Sequence, residues 1–494
     1  MENGPDKAVP SVGPRATRGV AWTLGLTVTE RTVNIIKTII LARLLSPKDF
    51  GLMGVAVLSL GILETFSKTG FEAALIHKRQ EFIKYLDTAW TVEILRASAL
   101  SAMLILSAPL VAAFFDEPSA VAVVRVCALL ILLRVLVNPM VVALRKDLRY
   151  RQLSILRLTG HLVGAVVTVS MAFITRNVWA LVSGSLAAAA TTLLVSYIIL
   201  PYRPRLSLEL SKAKELFGYG KWVLASFVLL FLLTQGDDIL VGKLLGVVML
   251  GYYQMAYKIS QAPVTHFTHT LFNVLFPAYT KLKDDLPRLK EAYLEVFKLT
   301  SLATIPLMYA AMFLAEDFVR CILGERWLPI VAAVRVLCVA GVLKAISETA
   351  SAVFYALGKP RIDTKWKIAQ LLAMVLFIVP LILKLQLLGA AIGVLISTLP
   401  PLIGHFRALM KEIDLTVSAV LKALLLPLVG STVMSLFVIV AGRASFYPSP
   451  CVRLGVLALI GSVSYLGSIL VLDSLTSSGI RKLVTRRMAH IVGK

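Results

Sequence analysis

LARLLSPKDFGLMGVA (residues 41–56) and VGKLLGVVMLGYYQMA (residues 241–256) align without a gap at an offset of 200 residues. Arg43 falls on Lys243, Leu44 and Leu45 on Leu244 and Leu245, Gly51 on Gly251 and Ala56 on Ala256. Trp22 and Trp222 match at the same offset. The basic-Leu-Leu and glycine positions are not purely apolar, so the match is more than two leucine-rich runs laid side by side. A weaker match joins VVALRKDLR (141–149) to FYALGKPR (354–361). A chain that repeats itself over this distance is built from two copies of one unit.

The material between these landmarks is apolar. Hydrophobic residues make up 58% of the chain and charged residues 16%, against about 25% charged in soluble domains. The mean hydropathy is +0.82. A soluble protein of this composition would expose apolar surface that it could not cover. The apolar residues fall into about fourteen blocks, each near or above the roughly 18 residues that span a bilayer. The predicted segments are 19–44, 50–70, 86–115, 120–145, 152–174, 178–201, 217–245, 249–277, 291–315, 328–357, 363–384, 387–410, 417–441 and 452–473. The expected fold is therefore all-α: a polytopic membrane protein of about 14 transmembrane helices. The repeat pairs segment 1 with 7 and segment 4 with 10, each pair running the same way across the membrane. This predicts two pseudo-symmetric six-helix lobes related by an axis along the membrane normal, plus two C-terminal helices. Carriers built from such halves bind substrate at the interface between them.

The expected organisation is a disordered tail over 1–18, an N-lobe over 19–201, a linker over 202–216 and a C-lobe over 217–410. Segments 13 and 14 follow within 411–473, and a basic tail over 474–494. The first eighteen residues are polar and rich in Pro and Gly. No short apolar core with a cleavage site follows them, so a removable signal peptide is not expected. The net charge is +23, but the lysines and arginines cluster between apolar blocks rather than along one soluble face. Nucleic acid is thereby excluded as a partner, and the clusters report topology. One set of alternate loops holds Arg145, Lys146, Arg149 and Arg151, then Arg203, Arg205, Lys212 and Lys214, then Lys281, Lys283, Arg288 and Lys290. The other set, including FFDEPS at 114–119, is poor in positive charge. The tally is roughly 30 against 10, which places the first set in the cytoplasm with both termini. The expected location is the inner cell membrane.

None of the four cysteines, Cys127, Cys321, Cys338 and Cys451, are spaced as a metal or redox motif. Cys127 and Cys338 fall in apolar blocks and read as inert buried thiols. Cys321 and Cys451 both fall near the outer surface, and their pairing is left open because spacing does not show proximity. There is no P-loop, HExxH, GxSxG or zinc spacing. No catalytic residue, metal or cofactor is expected, and a membrane glycosyltransferase or polymerase is the weaker alternative, since the outer loops are short.

Charges inside apolar segments are the informative residues, because they usually face a cavity or one another. Segment 1 carries Glu30, Asn34 and Lys37 on one face, with Arg31 beside it. Segment 7 carries adjacent acids, Asp237 and Asp238, which would repel if both ionised and so are candidates for a coupling-ion or proton site. Segment 8 carries Lys258, Gln261, Thr265 and His269, and the histidine is a candidate proton carrier. Segment 4 carries Arg134 and Asn138; segment 10 carries Lys344 and Glu348. Arg31, Lys37, Arg134, Lys258 and Lys344 read as cations for a diphosphate headgroup, with Asn34, Asn138 and Gln261 for sugar hydroxyls. Glu30, Asp237, Asp238, His269 and Glu348 read as ion-coupling residues. The bland alternative is that Glu64–Lys68 and Lys344–Glu348 are i, i+4 pairs that only neutralise themselves. Basic cavity residues outnumber acidic ones, which favours an anionic cargo over the cationic cargo of a drug antiporter.

The stretch RGVAWTLGLTVTERTVNIIKTIILARLLSPKDFGLMGVAVLSL (18–60) resembles the first hairpin of polysaccharide-transport flippases of the Wzx type. GKLLGVVMLGYYQMAYKIS (242–260) resembles the corresponding segment of their second lobe, and YALGKPR (355–361) their inner turn after helix 10. The similarity covers residues 15–410. The resemblance implies a V-shaped pair of six-helix bundles with two further helices, alternating access, and a polyprenyl-pyrophosphate oligosaccharide as cargo, coupled to H+ or Na+. Membrane lipids, and the polymerase and chain-length proteins of such a pathway, are the implied partners. The same superfamily includes multidrug and cation antiporters, which is the alternative reading. Relatives that export lipid precursors have a sodium site involving an acid on helix 7. This sequence departs from that pattern, because segment 11 offers only Asp363, near its inner end, and Gln370.

Overall fold

The computed structural model describes residues 13–67, 82–146, 149–209, 220–443 and 447–476. Every regular element among them is helical, as a bilayer demands: a helix satisfies its own backbone N–H and C=O groups where no water can. Nine helical stretches among the described residues are long and apolar enough to cross a membrane, and the protein is a multi-pass membrane protein. The chain divides into two compact units, Met1–Phe231 and Leu232–Lys494.

The first unit opens with α1 (Gly13–Leu44) and α2 (Pro47–Phe66). α1 begins inside the stretch expected to be a disordered tail. The SPKD sequence makes the turn between the two helices. Ser46 Oγ accepts from Asp49 N at 3.4 Å and Asp49 Oδ2 accepts from Ser46 N at 2.9 Å, a reciprocal cap with Pro47 in the first turn. In the second unit the equivalent turn joins α9 (Gly220–Leu245) to α10 (Val247–Thr280). There Gly246 replaces the cap and adopts φ +83°. The helices break at matching places in the repeat, and Gly51, Gly251, Ala56 and Ala256 are all buried.

α3 (Phe82–Phe114) precedes a fourth segment that is not one helix. It is divided into α4 (Ala120–Cys127), α5 (Leu129–Val135) and α6 (Val141–Lys146). The first interruption lies where Ser101 of α3 donates its hydroxyl to Ala128 O at 2.8 Å. The second lies at Asn138, which Pro139 disfavours from helical backbone. α7 (Tyr150–Thr175) and α8 (Trp179–Ile199) then pack on each other through small residues. A Cβ at Gly184 would lie 1.7 Å from Thr168 Oγ1, so the backbones approach as only small residues allow. The start of the 202–216 linker is pinned to α3: Tyr202 Oη donates to Asp87 Oδ1 at 2.7 Å and Arg205 N to the same oxygen at 3.0 Å. Burial, together with the Asp87 carboxylate, pushes the Tyr202 hydroxyl pKa up to about 12, keeping it a donor. The division between units falls within α9, past this linker.

The second unit continues with α11 (Leu286–Phe313), α12 (Ala315–Phe318), α13 (Val331–Ala356), α14 (Pro360–Ser397), α15 (Leu399–Glu412), α16 (Val417–Gly442) and α17 (Pro450–Thr476). Between α12 and α13 run a π turn (Val319–Leu323) and a tight helical stretch (Glu325–Ile330). α13 is the centre of this unit: most of its side chains are buried, and it packs against α10, α11, α14 and α15. α14 is interrupted at Gln386, with φ 52° and ψ −127°, at the place where the hydropathy divides segments 11 and 12. Gly389 permits the interruption, since a Cβ there would meet Leu381 O at 1.9 Å. The α16–α17 hairpin is tied to the α11–α13 connection. Cys321 and Cys451, 130 residues apart, form a disulfide with Cα atoms 4.9 Å apart. Arg453 Nε lies 3.3 Å from Asp317 Oδ1, and Tyr465 Oη donates to Leu302 O at 2.9 Å.

Candidate functional site

The polar residues of the first unit are mostly engaged singly. On α1, Arg31 and Asn34 are exposed and Glu30 and Lys37 half-buried. Arg134 on α5 reaches Glu64 on α2, with Nη1 at 3.2 Å from Oε1. This cation has no acid within one turn of its own helix and finds one on a neighbour. Among the described residues only Nη1 makes a hydrogen bond, which leaves the other guanidinium donors for a second anion. Lys68, the expected partner of Glu64, lies outside the described residues. On α3, Arg96 Nε donates to Glu93 Oε2 at 2.8 Å, and Nη1 to Ser67 Oγ at 2.8 Å. Asn138 is fully buried and its amide serves the backbone. Its Nδ2 donates to Tyr202 O at 2.8 Å and its Oδ1 accepts from Met140 N at 3.0 Å. The structure thus places Asn138 at a helix interruption, holding the start of the linker.

The second unit gathers its polar residues into a connected set. Asp237 is 3% exposed and Asp238 half-buried. Tyr253 Oη donates to Asp237 Oδ2 at 2.7 Å, and Gln254 Nε2 to Asp238 Oδ2 at 3.2 Å. Asp237 Oδ1 is buried and makes no hydrogen bond among the described residues. Tyr253 and Tyr257 share a face of α10, one turn apart. The Lys344 ammonium of α13 is hydrogen-bonded to Tyr257, within electrostatic reach of Asp237 and, one turn on, Glu348. Asp237, Asp238, Lys344 and Glu348 were each expected to matter, and the fold brings them into one neighbourhood. Lys258 is exposed on α10. Gln261 is buried and donates to Leu337 O at 2.7 Å, which binds α10 to α13. The side chains of Thr265 and His269 lie outside the described residues.

A second cluster, missed by the sequence reading, lies at the ends of α13, α14 and α15. Asp363 is 1% exposed and accepts Ser351 Oγ at 2.7 Å. Lys367 Nζ stands 2.9 Å from Asp363 Oδ2 and 3.9 Å from Glu348 Oε2. His405 is 2% exposed. Its Nε2 lies 3.5 Å from Asp363 Oδ1, and its Nδ1 lies 3.0 Å from Ser347 Oγ and 3.2 Å from Ser347 O. Asp363 and His405 stand far apart in the sequence, so only packing joins them. The one available signal was that both are ionisable residues set among apolar ones, which in a membrane protein need partners. No group of three or more His, Cys, Asp or Glu side chains among the described residues is arranged to hold a metal ion.

Comparison with known proteins supplies the family. The profile of the family described as "Polysaccharide biosynthesis protein" matches residues 40–332. The lipopolysaccharide biosynthesis protein WzxC of Escherichia coli (strain K12) is 23% identical over 391 residues, 79% of this chain and 79% of that protein. The teichuronic acid biosynthesis protein TuaB of Bacillus subtilis (strain 168) is 24% identical over 463 residues, 93% of this chain and 96% of that protein. Among solved structures, the lipid II flippase MurJ in its inward closed conformation superposes with a TM-score of 0.73 at 14% identity. That match covers 92% of this chain and 99% of MurJ and shows a shared fold. With its many apolar helices, the chain is a multi-pass membrane protein that belongs to the polysaccharide biosynthesis protein family, within the Wzx-type polysaccharide-transporter superfamily.

Proposed function

We propose that the protein is a flippase that carries polyprenyl-pyrophosphate-linked oligosaccharide from the cytoplasmic to the outer leaflet by alternating access, driven by a cation gradient. The product would feed a surface polysaccharide: O-antigen, capsule or exopolysaccharide. The roles that WzxC and TuaB are named for, in lipopolysaccharide and teichuronic acid biosynthesis, support this reading. The observation that carries it is a family of polysaccharide transporters combined with cations set in apolar helices. Arg134 is the chief of these, because a guanidinium with donors to spare can take phosphate oxygens in a bidentate grip. In this reading Arg31, Lys37, Lys258 and Lys344 add positive charge for the diphosphate, and Asn34 offers hydrogen bonds to sugar. Asn138 and Gln261 act by fixing the helices that bear Arg134 and Lys344. Asp237, Asp238 and Glu348 couple transport to the cation, with His269 as a further proton carrier on α10.

The proposed topology has fourteen spans with both termini in the cytoplasm. The Cys321–Cys451 disulfide supports it: both cysteines fall where the segment pattern expects the outer surface, and disulfides persist on the oxidising side of a membrane. The polymerase and chain-length proteins of the pathway would act on the cargo after it is flipped.

The test is complementation of a flippase-deficient cell, with lipid-linked intermediates measured on each leaflet. Wild-type protein is expected to restore polysaccharide and to move the intermediate outward without lengthening or cleaving it. Arg134→Ala is expected to abolish export while the protein still inserts. Normal surface polysaccharide in that variant would remove Arg134 from the site. Efflux of cationic dyes without polysaccharide rescue would replace the flippase reading with that of a drug antiporter.

A further inference from the structure

The His405 imidazole presents a geometry that a single proton would complete. Nδ1 stands 3.0 Å from Ser347 Oγ, which can accept or donate, and 3.2 Å from Ser347 O, which can only accept; with the ring hydrogen on Nδ1 both contacts are satisfied. Nε2 then carries a lone pair, and it stands 3.5 Å from a carboxylate oxygen, Asp363 Oδ1. Nε2 is buried and makes no hydrogen bond among the described residues. In that tautomer a nitrogen lone pair faces a carboxylate oxygen, an arrangement that binding of one proton converts into an imidazolium–carboxylate pair.

The gap is connected. Asp363 touches Lys367, and Lys367 reaches Glu348. Glu348 lies one helical turn from Lys344, which is hydrogen-bonded to Tyr257 and interacts with Asp237. Along this line four carboxyl groups (Asp237, Asp238, Glu348 and Asp363) stand against two ammonium groups (Lys344 and Lys367). A surplus of buried negative charge is expensive in a low-dielectric interior and draws in protons or cations. The Lys344 ammonium already supplies positive charge to Asp237. The side chains facing His405 are Ser347, Glu348 and the Phe354 ring from α13, and Asp363 and Lys367 from α14; Tyr355 of α13 also lies within electrostatic reach of Asp363.

We propose that the space between His405 Nε2 and Asp363 Oδ1 is a proton-binding site, exchanging its proton with the Asp237–Asp238 pair through Lys367, Glu348 and Lys344, so that the coupling ion is H+. The second half of this proposal rests on the cation-coupled transporter reading above; the proton site itself does not. Each step moves one proton and nothing else. Imidazolium Nε2 gives its proton to Asp363, leaving neutral imidazole and a carboxylic acid. Lys367 passes a proton to Glu348 and regains one from Asp363, and Lys344 does the same between Glu348 and Asp237.

The test uses the purified full chain in detergent, with thermal unfolding followed from about pH 5 to pH 8, the range in which a histidine titrates. The difference in midpoint between wild type and His405→Gln is expected to change with pH. Asp363→Asn is expected to remove the same pH-dependent part, and the double variant no more than either alone, since the two residues share one proton. A difference that is constant across pH would overturn the proton site. Replacing K+ by Na+ at fixed pH is expected to leave the midpoint unchanged. A Na+-specific shift that disappears in Asp237→Asn would overturn H+ as the coupling ion. Failure of the wild type to restore polysaccharide in cells would instead defeat the flippase reading and leave the titration result standing.

Discussion

α1 and α9 hold matching places in the repeat and treat their charges in opposite ways. α1 shows Arg31 and Asn34 at its surface, beside exposed Val28, Ile35 and Ile36. α9 turns Asp237 inward, where Tyr253 and Lys344 meet it. The turns that follow differ in the same spirit. The first is closed by a Ser46–Asp49 cap, the second by Gly246 in a backbone conformation that side chains avoid. The comparison teaches that the repeat conserves a frame of helix, turn and helix, while the polar residues placed on the frame have diverged. One copy carries exposed cations and the other a buried, mutually supporting set of acids, tyrosines and lysines. Duplication thus supplies two similar scaffolds that are free to take different tasks.

The largest expected effect tests that contrast directly. Lys344→Ala strands the carboxylates around it, and breaking a buried ion pair from one side costs about 3–5 kcal/mol. The folded yield in membranes should fall sharply, and adding Asp237→Asn should restore part of it. Lys37→Ala, on the half-buried stripe of α1, should change stability by only about 0–1 kcal/mol while lowering export. Equal losses of folded protein in the two variants would erase the distinction between the helices.

The turns give the next effect. Gly246→Ala meets no atom within 4 Å, so any cost comes from its backbone alone. For φ +83° with ψ 174° that cost is about 1–3 kcal/mol. Ser46→Ala removes the cap at the matching position and should cost about 0.5–2 kcal/mol. Thermal unfolding of both variants measures the pair. A Gly246→Ala protein as stable as wild type would mean the turn relaxes without strain.

The smallest effect lies in the loop before α4. Lys48 Nζ stands 3.0 Å from Glu117 Oε2, linking the α1–α2 turn to that loop. Burial raises the Glu117 pKa, but the Ser119 hydroxyl and the Lys48 ammonium outweigh it and hold the carboxyl below its ordinary value. The sign follows: the pair contributes stability at neutral pH, and that contribution is lost as pH falls through the depressed folded-state value. A partly exposed pair is worth about 0–1 kcal/mol. The stability difference between wild type and Glu117→Gln at neutral pH should therefore vanish in acid. A difference that persists there would assign the effect to packing.

Much of the molecule was legible from residue patterns. Long apolar blocks gave the helices, because a bilayer accepts little else, and the division at Gln386 fell between two predicted segments. The interruption of the fourth segment was not read, although Asn138-Pro139 carries it. Apolar composition there concealed a backbone rule. In the site, Asp237 and Asp238 stood out as adjacent acids in an apolar run. His405 did not, since one histidine in a hydropathic segment has no meaning until its partner is known.

The sequence by itself determined that this chain crosses a membrane many times, that it repeats, and which residues bear charge where lipid should be. Those are local properties, fixed by hydropathy and spacing. Which charges satisfy one another was decided only by tertiary packing. Cys321 with Cys451, Arg134 with Glu64, and His405 with Asp363 are each joined by the approach of helices distant in sequence. Electrostatic pairing acts over a few ångströms, and only the assembled helices bring such groups that near.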